Sequence, residues 1–256
     1  MFAEERLEAI ENEVLRKGKV KVNDLAKKFN VSKATIRRDL TELETIGILK
    51  RTHGGAVPQS HTKTELSYLE KEDQLLNEKE KIGKYAAVFI KAGDTIALDS
   101  GTTTIQIAKS IDVEDITIIT NSIKIANLLS KKNKIEVILT GGLLRQNTLA
   151  LVGPLAEESV NHFNIDKAFL GANGITPDGG FTTPNIVEAN IKKTFIKNSE
   201  RVFFVCDHSK VYKKSFAKIA QMSEVDGLII DRINEVTLKE FEKKGLNVLL
   251  IPDNIK

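Results

Sequence analysis

A chain of 256 residues, 41% hydrophobic and 29% charged, is long enough for one large or two smaller globular domains. It has no apolar run of the roughly 18 residues a membrane span needs, and its single cysteine, Cys206, excludes an internal disulfide framework and fits a cytoplasmic location. The net charge of +3 is unevenly placed: residues 1–57 carry 12 Lys/Arg against 9 Asp/Glu, whereas residues 58–256 carry 26 of each.

The opening stretch MFAEERLEAIENEV is an acidic helical pattern, without the basic and apolar regions of a secretory signal. Leu7, Ile10 and Val14 stand at helical spacing and Gly18 ends the run. Leu25, Ala26 and Phe29 mark a second short helix, and Asn30-Val31-Ser32 a tight connection. Ile36, Leu40 and Leu43 mark a third helix, which Ser32 caps through its hydroxyl and Gly47 ends. Ile48 to Val57 reads as two short strands around a turn, a wing, and residues 58–75 read as a linker.

Helix, short turn and helix followed by a wing is the winged helix-turn-helix arrangement, an α+β domain over residues 1–57. From Gly18 to Arg51 there are 9 Lys/Arg against 4 Asp/Glu, and such a basic segment beside a neutral body is the charge pattern of a nucleic-acid-binding head. In this arrangement the N-terminal residues of the second helix lie nearest the base edges in the major groove. The candidate DNA-contacting residues are therefore Ser32, Lys33, Ala34, Thr35, Arg37 and Arg38, joined by Arg51 and His53 of the wing. The inward stripe of Ile36, Leu40 and Leu43 turns Lys33, Arg37 and Arg38 outward, and the planar fork of arginine suits guanine edges and phosphates. Asp39 and Glu42 on the same helix either orient the arginines or pair at helical spacing.

From residue 76 to residue 256 helical patterns alternate with short apolar runs: Thr95 to Leu98, Ile116 to Ile119, Ile135 to Leu139, Lys167 to Leu170, Val202 to Val205, Leu228 to Ile230 and Val248 to Ile251. Nearly continuous apolar strands of this kind are covered on both faces, and the alternation predicts a doubly wound parallel α/β sheet. Ligands of such sheets bind outside the carboxyl ends of the strands, and there the sequence turns small and polar. Asp99-Ser100-Gly101-Thr102-Thr103-Thr104, Thr120-Asn121-Ser122, Thr140-Gly141-Gly142, Gly171-Ala172-Asn173-Gly174 and Cys206-Asp207-His208-Ser209-Lys210 follow five successive strands. Gly101 lets backbone approach an anion, Thr102 to Thr104 add hydroxyls at a helix start, Lys210 adds a point charge, and Asp99 and Glu188 accept from sugar hydroxyls. A phosphorylated polyol fits this chemistry. His53, His61, His162 and His208 have none of the spacings of a zinc site, and no metal or cofactor is expected.

The run Val31-Ser32-Lys33-Ala34-Thr35-Ile36-Arg37-Arg38-Asp39-Leu40, with Leu43, Gly47 and Arg51-Thr52-His53-Gly54-Gly55-Ala56 after it, resembles the head of the deoxyribose-operon-repressor (DeoR) family of bacterial regulators. That family's pattern is Val-Ser-x-x-Thr-Ile-Arg-Arg-Asp-Leu, a Leu, a Gly and a wing ending in His-Gly-Gly-Ala. The second half resembles the family's sugar-phosphate-sensing domain, similar in fold to ribose-5-phosphate isomerase, so the resemblance covers nearly the whole chain. It implies that Ser100 to Thr104 hold a phosphate and that Thr120, Asn121, Gly141, Gly142, Gly171, Ala172, Gly174, Glu188, Asp207 and Lys210 line the pocket. It further implies a homodimeric or homotetrameric repressor of a carbohydrate operon, bound to double-stranded operator DNA and controlled by a phosphorylated sugar or polyol. The chain departs from the pattern in three places: Thr52 replaces a Val, Lys21 replaces a capping Ser or Thr, and the pair Val211-Tyr212 replaces aromatic-Gly after Asp-x-Ser-Lys. The rival reading is an isomerase-like enzyme with a DNA-binding head. The isomerases carry the acidic run Asp-Gly-Ala-Asp-Glu where this chain has Gly171-Ala172-Asn173-Gly174, with Asp178 the next carboxylate, so binding without turnover is expected.

Overall fold

The computed structural model describes residues 2–45, 48–58 and 66–252, and the chain divides into two units, Met1–Thr62 with Val211–Lys213 and Lys63–Lys210 with Lys214–Lys256. The first unit contains α1 (Ala3–Lys17), β1 (Val20–Lys21), α2 (Val22–Phe29), α3 (Lys33–Thr45), β2 (Leu49–Thr52) and β3 (Gly55–Pro58). The three apolar stripes meet in one core of Ile10, Val14, Leu25, Ile36, Leu40 and Leu43, closed by Leu49 and Ala56 from the strands. Gly18 ends α1 at φ 67°, and Asn30 turns the chain between α2 and α3 at φ 51°. The expected stop at Gly47 lies outside the described residues.

The wing is a three-stranded sheet rather than a hairpin, because β1 adds to β3 with Val20 opposite Ala56 and Lys21 opposite Gly55. That approach requires glycine: a Cβ on Gly55 would stand 1.7 Å from the Val20 carbonyl oxygen. The same contact explains how α2 starts without a capping side chain at Lys21. The Val22 N–H donates to the Gly54 carbonyl at 2.9 Å, so the wing's backbone takes the place of the missing hydroxyl. Behind the core, Glu13 is buried between Lys17 and Lys28, with Lys28 Nζ 2.5 Å away. Burial would raise its pKa, but the two lysines outweigh that and hold it at about 2.

The second unit opens with α4 (Tyr68–Glu72) and α5 (Leu76–Ala87). It continues through β4 (Thr95–Leu98), α6 (Thr104–Ser110), β5 (Ile116–Thr120), α7 (Ile123–Leu129), β6 (Ile135–Leu139), β7 (Leu143–Arg145), β8 (Ala150–Val152), α8 (Pro154–Asn161) and β9 (Ile165–Leu170). It ends with β10 (Gly174–Thr176), β11 (Gly180–Thr183), α9 (Ile186–Lys197), β12 (Ser199–Cys206), β13 (Ala217–Ala220), β14 (Gly227–Ile230), α10 (Glu235–Glu242) and β15 (Val248–Leu250). All seven apolar runs of the sequence are strands of one parallel sheet, in the order β15-β14-β12-β9-β4-β5-β6. Ile96, Leu98, Phe169, Phe203 and Val205 point to one face, where Ile82, Ala86, Ile107, Ile125 and Leu129 of α5, α6 and α7 cover them. The antiparallel β7–β8 pair and the β10–β11–β13 sheet are additions that apolar periodicity did not mark.

The linker expected over residues 58–75 is corrected in its second half. Residues 59–65 lie outside the described residues, but Tyr68–Glu72 is helix α4, and Tyr68 is buried against the second unit. Its polar composition reflects a short helix with one apolar anchor, which periodicity cannot register. Among the described residues no helix is long and apolar enough to cross a membrane.

Candidate functional site

On the first unit, the start of α3 is fixed by Ser32, whose hydroxyl oxygen accepts from the Thr35 N–H at 3.0 Å and lies 2.8 Å from the Thr35 hydroxyl. Lys33, Ala34, Arg37 and Arg38 are exposed along this first stretch of the helix, and Thr35 is half-buried. Asp39 does not orient Arg37 or Arg38. It sits on the buried side of the helix, where Arg6 of α1 donates to both its oxygens at 2.6 and 2.9 Å. Arg51 of β2 is docked on the later turns of α3: its guanidinium donates to the Thr41 hydroxyl at 2.6 Å and its N–H to the Glu44 carboxylate at 2.7 Å. His53 is exposed in the turn between β2 and β3. Rigid pairs behind the helix and exposed cations in front of it make a basic face on a fixed frame.

The second unit has its cavity where strand order reverses. From β4 the chain runs through β5 and β6 to one edge, then returns to β9 on the other side of β4. Loops after β4 and β9 therefore diverge and leave a crevice between them. Asp99, at the end of β4, ties the two lips together. One carboxylate oxygen accepts from the Gly101 N–H at 3.0 Å and the Thr104 hydroxyl at 2.9 Å; the other accepts from the Gly171 N–H at 2.9 Å and from Lys192 of α9.

The cavity is small and partly open to solvent. Ser100 to Thr103 form one wall, Gly171, Ala172 and Asn173 another, Asp207 and Lys210 a third, and Val205 and Cys206 lie between. Lys71, Thr148, Glu188 and Lys192 complete it. Glu188 is held by Arg145 and Thr148, each 2.5 Å from one carboxylate oxygen. Asp207 accepts at one oxygen from the Ser209 N–H at 3.0 Å and from the Ser209 hydroxyl; its other oxygen makes no hydrogen bond and lies 3.6 Å from Lys210 Nζ. Burial would raise the Asp207 pKa, but Lys210, Ser209 and Lys79 more than offset it, so the group is an anion held below the ordinary carboxylate range. Burial pushes the Cys206 thiol up to about 12, which makes it wall and not nucleophile.

Comparison with known proteins bears on both units. Residues 6–62 match the DeoR-like helix-turn-helix domain, and residues 74–232 match the DeoR C terminal sensor domain. The chain belongs to the DeoR family of transcriptional regulators. A DeoR-family relative, the HTH-type transcriptional regulator GlpR of Haloferax volcanii, is 39% identical over 89% of this chain and 90% of its own length. The lactose phosphotransferase system repressor of Staphylococcus epidermidis is 35% identical over 92% of this chain and 94% of its own. Among solved structures, ribose 5-phosphate isomerase A from Methanocaldococcus jannaschii aligns over 52% of this chain and 53% of its own, at 17% identity and a TM-score of 0.38.

Within this DeoR-family sensor the residues expected at the pocket divide into two sets. Ser100, Gly101, Thr102, Thr103, Gly171, Ala172, Glu188, Asp207 and Lys210 line the cavity. Asp99, Thr104, Thr120, Asn121, Gly141, Gly142 and Gly174 are not among its lining residues, and each has a structural duty instead. Asp99 and Thr104 spend their polar atoms on each other and on the crevice's lips. Thr120 donates to the Leu98 carbonyl at 2.7 Å, joining β5 to β4. The Asn121 amide donates to the Leu151 carbonyl at 3.0 Å, fixing β8. Gly141 and Gly142 turn the chain from β6 to β7 at φ 71° and 104°, and Gly174 pairs with Thr182 in β10–β11.

Lys71, Thr148, Asn173 and Lys192 were missed. Lys192 carried a legible signal, since it follows Glu188 at helical spacing and so shares its face of α9. Lys71 carried none, being inside the expected linker. Tyr212, which replaces the family's Gly after the Lys210 loop, takes the left-handed φ of 58° that Gly would supply. The backbone of that loop thus keeps its turn despite the substitution.

Proposed function

We propose that this DeoR-family protein is a cytoplasmic repressor of a carbohydrate-use operon, released from its operator or retained on it according to a phosphorylated sugar or polyol bound in the cavity. The head's part is carried by Ser32, Lys33, Ala34, Thr35, Arg37 and Arg38 at the start of α3, which enter the major groove, with Arg51 and His53 of the wing beside them. A homodimer or homotetramer presents two heads to paired half-sites. Repression, rather than activation, is supported by the similarity to the lactose phosphotransferase system repressor.

The observation that carries the effector reading is the composition of the cavity at the switch point. Ser100, Thr102 and Thr103 bring hydroxyls to the cavity, Lys210 an ammonium and Glu188 a carboxylate. That set matches a molecule with a phosphoryl group at one end and hydroxyls along its length. Binding without turnover is supported by the loop Gly171 to Gly174, which carries no carboxylate to act as base, and by Glu188, which is engaged by Arg145 and Thr148.

The test is a thermal-shift screen of hexose, pentose and polyol phosphates against the same compounds without phosphate, because a ligand of the folded state raises the melting temperature by mass action. The expected result is stabilisation by a subset of the phosphorylated compounds, and a shift in the affinity for selected operator DNA by that subset. Equal stabilisation by the unphosphorylated set, or steady isomerase turnover abolished by Glu188→Gln, overturns this reading.

A further inference from the structure

Helix α4 is the first described element after β3, and it is only five residues long. A helix of that length has almost no stability of its own in water, so its place is set by what holds it. The Tyr68 side chain is buried, and the Tyr68 N–H donates to the Asn147 carbonyl at 2.8 Å. Lys124 of α7 meets the Glu72 carboxylate at 3.1 and 3.2 Å and stands 3.7 Å from the centre of the Tyr68 ring. Ser67 and Glu70 close a capping box at the start. At its end, the buried Lys79 of α5 donates to the Lys71 carbonyl.

The Lys71 side chain, meanwhile, lines the cavity with the Ser100–Thr103 loop. Burial first, and repulsion by Lys210 and Lys71 after it, lower the Lys79 pKa to about 8 against the opposing pull of Asp207 and Asp73. Lys71 and Lys210 both line the cavity, so two ammonium groups face an anionic ligand bound there.

We propose that α4 is the segment through which the cavity reports its occupancy: Lys71 takes the anionic group of the effector together with the Ser100–Thr103 loop, and so ties the incoming chain to the bound ligand. The proposal rests on the phosphate reading of the cavity and adds to it a residue and a route. In chain order α4 is the first described element of the sensor after β3 of the head. A ligand that grips Lys71 therefore changes the order of the sensor segment that follows the head most closely in sequence.

The experiment is amide hydrogen exchange on the full-length protein, followed by mass spectrometry, across a titration of inorganic phosphate against chloride at constant ionic strength. The expected result is slower exchange at residues 100–104 and at residues 68–75 with one common midpoint. In Lys71→Gln the slowing at 100–104 persists with a midpoint weakened about tenfold, as for loss of a charge-assisted bond, and the slowing at 68–75 disappears. Lys71→Arg restores both. Slowing at 100–104 alone in the parent, or a Lys71→Gln variant identical to the parent, overturns the role of α4 and leaves the phosphate reading standing. No slowing at either segment overturns the phosphate reading and this proposal with it.

Discussion

In the head, ion pairs lie behind the exposed basic face of α3; in the sensor, they sit in or against the cavity wall. Arg6 with Asp39, and Lys17 and Lys28 with Glu13, brace α1, α2 and α3 from the rear, while Lys33, Arg37, Arg38 and Arg51 stand exposed in front. In the sensor, the Lys192–Asp99, Arg145–Glu188 and Lys210–Asp207 pairs sit in or against the cavity wall. The difference follows from the partner each unit suits. A long polyanion is gripped by solvated cations whose binding is driven by counterion release. A small ligand needs donors and acceptors fixed in place, and charges buried to achieve that must be neutralised from within.

The comparison breaks most visibly at Asp99. Its side chain is 1% exposed, with Lys192 as its cationic partner. Lys192→Met leaves that carboxylate without a counter-charge and is expected to destabilise the sensor by about 3–5 kcal/mol, read from urea unfolding of the full chain. A loss below about 1 kcal/mol would show that the backbone N–H groups of Gly101 and Gly171 hold Asp99 unaided.

Removing cations from the front of the head has the opposite profile. Arg37→Ala and Arg38→Ala are each expected to cost about 1–3 kcal/mol in operator affinity with unfolding midpoints unchanged, because both side chains are exposed. Anisotropy titrations on DNA selected from a random library, at several salt concentrations, decide the matter. Parental affinity in both variants removes the start of α3 from the DNA interface.

Behind the head, Glu13→Gln is expected to cost about 1–2 kcal/mol at neutral pH, since Lys17 and Lys28 are half exposed and screened. The folded Glu13 pKa of about 2 lies below its ordinary 4.5. Its contribution is therefore complete above pH 4.5 and is lost as pH falls towards 2. Thermal melts of parent and variant should converge over that window, and a gap that stays constant down to the acid limit contradicts the ion-pair account.

The smallest expected effect sharpens the sensor side. Thr103→Val keeps the side chain's shape and removes a hydroxyl from the cavity wall, weakening the effector found by thermal shift by about 1 kcal/mol. Operator affinity across an effector titration should shift to higher concentration by the corresponding fivefold or so. An unshifted titration places the phosphoryl group away from this loop.

Amino-acid order alone determined the elements whose signals are local. The three stripes of the head, the Ser32 cap, the exposed arginines of α3 and the seven strands of the sheet all depend on spacing along a few residues. So does the position of the polar loops around the cavity, because apolar strands followed by small polar residues mark the carboxyl edge of a parallel sheet. Tertiary structure alone decided which polar residues of those loops face the cavity. Thr103 and Thr104 are neighbours of one type, yet one lines the wall and the other is spent on Asp99. The choice depends on a crevice formed by strands β4 and β9, far apart in the chain. It also decided that Asp39 belongs to Arg6, that β1 completes the wing, and that the expected linker contains α4 with Lys71 in the cavity. Each of these is a pairing between distant segments, and a local pattern holds no record of which distant group arrives to satisfy it.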